Sequence, residues 1–384
     1  MTDRRVELPL LIRELAAAVE PTPPARPWAA GAVVLAGRGP AVVLHEALGW
    51  AVRYTAYDQT CDRGVELPRE RWVPMHRETV FDLASLTKLF TAIATVQQIE
   101  RGRTTLDIPV AAHLPEFGRA GKEGVTVRQL LAHTSGLRAE LPFYDHPTHE
   151  ARLRLLWDEA PLCPPGSAHC YSDLNFIALQ LLLERLTGEP LATLVRDGIT
   201  GPLGMVDTCF APPPHWRSRI AATEAVSQLK AVRRPRGGLD RDMVHGEVHD
   251  ENAYAMGGAA GHAGVFSTAA DLGVLCRALL AGGGGILGPE SVALMLADAG
   301  LPGHPHGLGF DLDQPSFMGE LAGPHTVGHT GFTGTSLVVD PVNGSYLILL
   351  ANAVHPTRLW RQGPQGSSVR AAAATWLARW GKDQ

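Results

Sequence analysis

Ser85 and Lys88 stand three positions apart at the start of a predicted helix, a spacing at which two side chains share one helical face. A serine hydroxyl becomes a nucleophile when a neighbouring base takes its proton, and an amine one turn away can do this. For that role Lys88 has to be neutral, and burial together with the helix dipole is expected to lower its pKa. The pair therefore predicts acylation of Ser85 with Lys88 as activator, although a capping serine beside a solvated lysine has the same pattern.

Tyr171 is the second candidate for this chemistry. It stands just before a predicted apolar helix over residues 174–187, with Asp173 two positions later. A phenol at a helix start can stand over a nucleophile and pass a proton between the serine and a leaving group. Tyr171 is therefore predicted to be catalytic.

The third candidate is the run His329, Thr330, Gly331 and Phe332, which continues as a glycine-rich strand edge. Glycines in such a strand let a substrate carbonyl approach the backbone closely. The amide groups of Ser85 and Phe332 form the predicted oxyanion hole, a kind of donor pair whose loss costs about 3 kcal/mol.

These three motifs, in this order, resemble the serine β-lactamase and penicillin-binding protein superfamily, particularly the class C β-lactamase-like esterases and peptidases. The resemblance implies that Ser85 is acylated, that Lys88 and Tyr171 move protons, and that residues 329–331 line the strand beside the substrate. Further stretches that are similar to the family's framework are 130–137, 201–205 and 264–272.

The runs GEVHDENA at 246–253 and GHAG at 261–264 resemble a bacterial branch of the superfamily that is linked to peptidoglycan. Its members include a D-Ala-D-Ala carboxypeptidase and muramoyl-L-alanine amidases. The resemblance predicts a peptidase or amidase acting on D-Ala- or muramoyl-peptide-type substrates, and His262 and Asp173 are predicted to contact the substrate.

Two positions depart from the family pattern. The third motif commonly has lysine where this chain has His329, and a largely neutral imidazole holds a substrate carboxylate less strongly than an ammonium does. Many relatives have asparagine where this chain has Asp173, and a carboxylate near Lys88 stabilises its ammonium form. The sequence thus leaves open whether Lys88 is the base or a charged organiser that leaves this role to Tyr171.

Two other functions remain open. An esterase or acyltransferase acting on a small metabolite would use the same serine and is favoured by His329. A non-catalytic, penicillin-binding-like sensor would keep the fold, but the presence of Ser85, Lys88 and Tyr171 argues against it.

A metal site is not predicted. His245 and His249 are four positions apart, but Glu247 lies second after the first histidine rather than directly after it, as the zincin pattern requires. No cofactor is implied by any other motif.

The elements that must position these residues come from both ends of the chain. Residues 28–37 and 41–52 predict an antiparallel hairpin, and strand-like runs return at 308–312, 326–329, 336–340 and 346–352. The expected fold class is α/β (α+β), β-lactamase/transpeptidase-like, with an antiparallel sheet flanked by helices and built from both chain ends. Residues 1–104 and 259–384 are predicted to form the sheet subdomain and residues 105–258 a mainly helical subdomain, together one catalytic unit.

Composition restricts the partners. The chain has 384 residues, a net charge of -5 and scattered arginines, so it offers no basic field for nucleic acid. No membrane span or secretory leader is visible, and five cysteines without metal spacing are typical of reduced thiols in a cytoplasm. The expected partner is a small-molecule or peptide substrate in the cytoplasm, and the sequence leaves the oligomeric state open.

Overall fold

A computed structural model describes residues 4–22, 25–229, 243–361 and 365–382, and all structural statements concern these residues. The strands, numbered β1 to β12 in chain order, are Gly31–Arg38, Ala41–Val52, Tyr54–Asp58, Arg63–Glu66, Val73–Pro74, Phe81–Asp82, Cys209–Phe210, Val265–Ser267, Asp311–Leu312, Val327–Thr330, Ser336–Asp340 and Ser345–Ala351. The α-helices, numbered α1 to α12, are Arg4–Val19, Thr87–Glu100, Val127–Leu131, His149–Asp158, Asp173–Thr187, Leu191–Val195, Gly201–Leu203, Glu251–Ala255, Ala269–Leu280, Pro289–Leu296, Pro315–Met318 and Gln365–Lys382.

The main sheet has seven strands in the order β5-β2-β1-β12-β11-β10-β9, and each neighbouring pair is antiparallel. Strand β1 pairs with β2 on one side and with β12 on the other, so the two ends of the chain meet at the centre of the sheet. This confirms the predicted antiparallel sheet built from both chain ends.

The alternating direction of successive side chains in the central strands explains why helices cover both faces of the sheet. In β1, Val33 and Leu35 belong to a large core with α2, α5 and α9, whereas Val34 belongs to a second core with α1 and α12. Successive side chains of a strand point to opposite faces, and an apolar residue at nearly every position therefore requires cover on both sides.

A smaller sheet, β6-β8-β7, leads into the first motif. Phe81 pairs with Ser267 and Asp82 pairs with Phe266, and Ser85 follows three residues after Asp82. Helices α3 to α8 fall within the segment predicted to be helical. The division of the chain at residues 104 and 258 stays a prediction.

The predicted strand over 308–312 is shorter than expected, because β9 covers only the last two of these residues. Gly309 has a left-handed φ of +83° and its N–H donates to the carbonyl of Leu131, which takes the backbone out of the sheet ladder. None of the helices in the described part of the chain combines the length and the apolar run needed to span a bilayer.

Candidate active site

A buried carboxylate sets the backbone before Ser85. Asp82 accepts hydrogen bonds from the N–H groups of Ala84 (2.9 Å) and His249 (2.6 Å). Ala84 has a φ of +48°, a region that a residue with a Cβ rarely adopts and that has to be held by its surroundings. This turn places Ser85 in a short 3-10 segment that leads directly into α2, half-buried at the cleft.

Lys88 lies fully buried, one turn after Ser85. Its Nζ donates to Ser85 Oγ at 2.9 Å and to the backbone carbonyl of His262 at 3.4 Å. It forms an ion pair with Asp173, with 2.7 Å between Nζ and Oδ1. The ammonium is thus surrounded by three oxygen acceptors from different parts of the chain.

These contacts decide the charge of the lysine. Burial by itself lowers the pKa of Lys88, but the Asp173 carboxylate and Tyr171 oppose it, and the pKa rises above its ordinary value. Of the two roles left open by the sequence, the geometry favours the charged organiser over the neutral base.

Tyr171 lies over this ammonium, with 4.7 Å between Lys88 Nζ and the ring centroid. Tyr171 as a whole residue is 38% exposed, and its ring is tilted against that of His133 at a centroid distance of 4.6 Å. His133 Nδ1 accepts hydrogen bonds from the Ser172 N–H and from Asn175 Nδ2, at 3.0 and 3.1 Å, which fixes the start of α5. Burial raises the pKa of the Tyr171 phenol, and the positive charge of Lys88 partly opposes this.

The third motif is bonded to the segment that carries Ser85. Thr333 Oγ1 donates to the carbonyl of Asp82 at 2.8 Å, and Thr335 Oγ1 donates to the carbonyl of Leu83 at 2.9 Å. A Cβ on Gly331 would lie 2.0 Å from Thr335 Oγ1, so only glycine fits there. Phe332, 43% exposed, follows Gly331 at the cleft. The predicted oxyanion amides of Ser85 and Phe332 thus belong to two segments that these hydroxyl groups tie together.

His329 lies beside this cluster as a neutral imidazole. Its ring centroid is 6.0 Å from that of Tyr171, and its Nδ1 donates to the carbonyl of Thr330 at 2.7 Å. Burial and the nearby Lys88 charge lower the pKa of His329 to about 3. The structure therefore brings no positive charge to the position where relatives commonly have lysine.

His262 lies next to Lys88, which donates to its backbone carbonyl. Its side chain is 1% exposed, and its Nε2 donates to Asp250 Oδ1 at 3.0 Å. Since an ionised carboxylate only accepts, the Nε2 atom carries the proton. The predicted contact between His262 and the substrate stays a prediction.

Asp173, Asp250 and His262 each offer one ligand atom within 4.8 Å of the others. Asp173 pairs with the Lys88 ammonium, and Asp250 pairs with His262. Each carboxylate of this group therefore already has a partner from the protein. The pair considered in the sequence as a metal candidate has protein partners in the structure: His249 Nε2 lies 2.8 Å from Glu224 Oε2, and His245 Nε2 lies 2.8 Å from the Ile220 carbonyl.

Sequence reasoning assigned no role to three groups that the structure places at or behind the site: the Asp82 carboxylate, the Thr335 hydroxyl and the Asp250 carboxylate. Asp250 lies within the run quoted for the peptidoglycan-linked branch, and that run was the available signal for it. Asp82 also bonds to the N–H of the distant His249, and Thr335 bonds to the carbonyl of the distant Leu83; no spacing in the sequence indicates these partners.

Comparison with known sequences identifies the family. The sequence model of the Beta-lactamase family matches residues 15–366. A protein of Escherichia coli (strain K12) named "Putative D-alanyl-D-alanine carboxypeptidase" is 33% identical over 306 residues, which are 72% of this chain and 70% of that protein.

Solved structures share the fold. EstCE1, described as a hydrolase with promiscuous acyltransferase activity, has a TM-score of 0.69 and 24% identity, over 95% of this chain and 98% of its own. A penicillin-binding protein homologue from Caulobacter crescentus has a TM-score of 0.67 and 23% identity, over 96% and 97% of the two chains. The predicted superfamily and fold class are confirmed: the chain belongs to the Beta-lactamase family and is a serine hydrolase with the β-lactamase fold.

Proposed function

We propose that the chain cleaves an amide bond in D-Ala- or muramoyl-peptide-type substrates through an acyl-enzyme on Ser85. The observation that carries the mechanism is the 2.9 Å hydrogen bond from Lys88 Nζ to Ser85 Oγ beneath the ring of Tyr171. The 33% identity with a relative named as a carboxypeptidase supports the substrate class.

In the proposed reaction Ser85 Oγ attacks the carbonyl carbon, and its proton passes by way of Tyr171 to the leaving nitrogen. A C–O bond forms at Ser85, the C–N bond breaks, and the amine leaves with the proton. The amides of Ser85 and Phe332 hold the oxyanion. Water then attacks the ester, releases the acid and returns the proton to Ser85.

Asp173 would act in this scheme through Lys88. Its carboxylate keeps the ammonium charged, so that Lys88 donates to Ser85 Oγ and stabilises the negative charge that develops there. Residues 329–331 would lie along the substrate, as the family resemblance implies. Lys88 is then an electrostatic organiser, and Tyr171 delivers the proton.

A second candidate function is ester hydrolysis or acyl transfer on a small metabolite. The neutral His329 favours it, because this imidazole holds a carboxylate less strongly than the lysine commonly found there. Two arginines near the third motif are already engaged: Arg358 bonds to Glu224 and Glu251, and Arg370 donates to the carbonyl of Gly331. The likeness in fold to EstCE1 fits the same candidate.

Intact-mass measurement separates these candidates. Wild type, Ser85→Ala and the control Ser167→Ala are incubated with benzylpenicillin, an activated ester and a muramoyl peptide. Ser167 lies exposed on the loop before Tyr171, where its hydroxyl donates to the carbonyl of Pro164. We expect an acyl adduct or turnover with the peptide in wild type and Ser167→Ala, and neither in Ser85→Ala.

Turnover of the ester alone would overturn the peptide assignment in favour of the second candidate. Adducts that persist in Ser85→Ala would overturn the role of Ser85. No adduct and no turnover with any of the three compounds would overturn the proposed chemistry and leave a binding function.

A further inference from the structure

The loop that carries His262 is hydrogen-bonded to both α2 and α5. Thr91 of α2 donates to the carbonyl of Gly261 at 2.8 Å, and the Gly261 N–H donates to Gln180 Oε1 of α5 at 2.9 Å. A Cβ on Gly261 would lie 1.9 Å from the carbonyl oxygen of Phe176, so the loop tolerates no side chain there. The position of the next residue, His262, is therefore fixed relative to Lys88.

His262 is paired with a carboxylate that is itself anchored. Asp250 Oδ1 accepts from the Ala253 N–H at 2.7 Å, as the N-cap of α8, and from His262 Nε2 at 3.0 Å. A carboxylate that caps a helix and faces an imidazole keeps its negative charge, and the pKa of Asp250 lies well below its ordinary value although burial opposes this. Asp250 is thus a fixed negative charge behind the site.

The charges around Lys88 balance only when His262 is protonated. Groups face the imidazole from three elements: Asp250 from the start of α8, Asp173 from the start of α5 and Lys88 from α2. Two carboxylates and one ammonium sum to one negative charge, and the imidazolium brings the sum to zero. His262 and Lys88 are buried and lie beside the same pair of partly exposed carboxylates, so proton binding at one affects proton binding at the other.

We propose that His262 and Asp250 are positioning residues that act through the charge of Lys88 on proton delivery by Tyr171, and that ionisation of His262 sets the alkaline limit of activity. With the imidazolium present, the charges of the four groups sum to zero, and Lys88 donates to Ser85 Oγ as an ammonium. When His262 loses its proton, the extra negative charge makes Lys88 and Tyr171 hold their protons more tightly. The inference rests on the proposed roles of Ser85 and Lys88.

The direction of the pH effect follows from the contacts. Burial lowers the pKa of His262, but Asp250 and, more weakly, Asp173 outweigh it, so the pKa lies above its ordinary value of 6.5. Activity is then full at acidic to neutral pH, as far as this group is concerned, and falls as the pH rises through the raised pKa. A histidine that only contacted substrate would change KM instead of kcat.

The test is the pH dependence of kcat and KM with an activated ester, in the presence of EDTA, for wild type, His262→Gln and Asp250→Asn. His149→Gln, on the exposed face of α4, is the matched control. We expect His262→Gln to lose the alkaline decline and to show, at pH 6, a kcat reduced about tenfold or more to the level that wild type reaches when deprotonated. Asp250→Asn should move the decline at least one pH unit toward acid, with KM unchanged in both.

An NMR titration of the histidine rings in Ser85→Ala tests the coupling without turnover. The resonance that His262→Gln removes should titrate above pH 6.5, move to lower pH in Asp250→Asn and to higher pH in Lys88→Met. No ester turnover together with these shifts would reject the proposed function and keep the coupling. An unchanged titration, or an alkaline decline that persists in His262→Gln, would overturn the inference.

Discussion

Two histidines beside Lys88, His262 and His329, are equally buried, at 1% and 2% exposure, yet their pKa values move in opposite directions. Asp250 lies 3.0 Å from the first, whereas the second donates to the neutral carbonyl of Thr330. Burial alone penalises the imidazolium, and only a countercharge reverses the penalty. The cleft therefore has an ionic side, with Asp173, Asp250 and His262, and a neutral side with His329.

The neutral side extends away from His329 as a group of imidazoles. Burial lowers the pKa of His306 to about 4, and the pKa of His133 lies well below its ordinary value for the same reason. Asp311 lies 3.6 Å from His306, but burial raises the pKa of this carboxyl to about 6, which weakens it as a countercharge. The contrast between the two sides is thus a property of several residues on each side.

Removing the Lys88 charge should have the largest effect, because this ammonium pairs with Asp173 on the ionic side and lowers the pKa of His329 on the neutral side. We expect Lys88→Met to lower kcat by about a thousandfold or more and to destabilise the fold by about 3 kcal/mol, since Asp173 loses its countercharge. Ester hydrolysis and thermal unfolding measure the two effects. Lys122→Met is the control, because Lys122 is equally buried but donates to the carbonyl oxygens of Trp157 and Glu159. A loss of stability without loss of kcat in Lys88→Met would contradict the assignment.

Neutralising Asp173 weakens the ionic side alone. In Asp173→Asn the carboxylate no longer holds the Lys88 proton or raises the pKa of Tyr171, so the base of the reaction titrates at lower pH. We expect the acid limb of kcat/KM to move about one pH unit or more toward acid. The exposed pair Asp107 and Arg128 supplies the control Asp107→Asn, which should leave the profile in place. An unchanged profile in Asp173→Asn would refute the charged-organiser role of Lys88.

Adding a charge to the neutral side tests substrate choice. His329→Lys restores the residue that relatives commonly carry, and a charge-assisted hydrogen bond to a carboxylate is worth about 1.5 kcal/mol or more. We expect kcat/KM for a D-Ala-D-Ala peptide to rise about tenfold while that for a neutral ester changes little. His329→Gln should raise neither. An equal rise for both substrates would show that the lysine does not act through the carboxylate.

The smallest expected effect is on how the free energy of unfolding depends on pH. Folded His329 stays neutral down to about pH 3, whereas the unfolded chain binds a proton there below pH 6.5, so this residue destabilises the fold as the pH falls. In urea titrations His329→Gln should remove about 2 kcal/mol of the stability lost between pH 7 and pH 5. Burial also lowers the pKa of His355, to about 3, so the variant His355→Gln should change the pH dependence of stability in the same direction as His329→Gln.

His262→Gln should act in the opposite sense. Because its folded pKa is raised, His262 contributes stability that is fully present below pH 6.5 and is lost as the pH rises through the folded value. The variant should therefore be destabilised at acidic pH more than at alkaline pH. If the free energy of unfolding, relative to wild type, changed with pH in the same direction in His262→Gln and His329→Gln, the two sides of the cleft would not differ in charge as we infer.

Local patterns predicted most of the elements. The hairpin β1-β2, the helix after Ser85 and the last three strands all carry strong periodicity and clear turn residues, and the structure has them near the predicted bounds. The strand over 308–312 was predicted too long, because its backbone bonds to α3 and α10 instead of continuing the ladder. Such a competition between partners is not encoded in a five-residue window.

The sequence by itself was enough to propose the reacting groups, since Ser85 and Lys88 are three residues apart where a 3-10 segment leads into α2, so their contact is local. It also determined the order of the three motifs, on which the family assignment depends. The charge of each group was decided only by the tertiary structure. Asp173, Asp250 and His262 come from separate segments, and a pKa depends on burial and on charges within a few ångströms, which chain order does not specify.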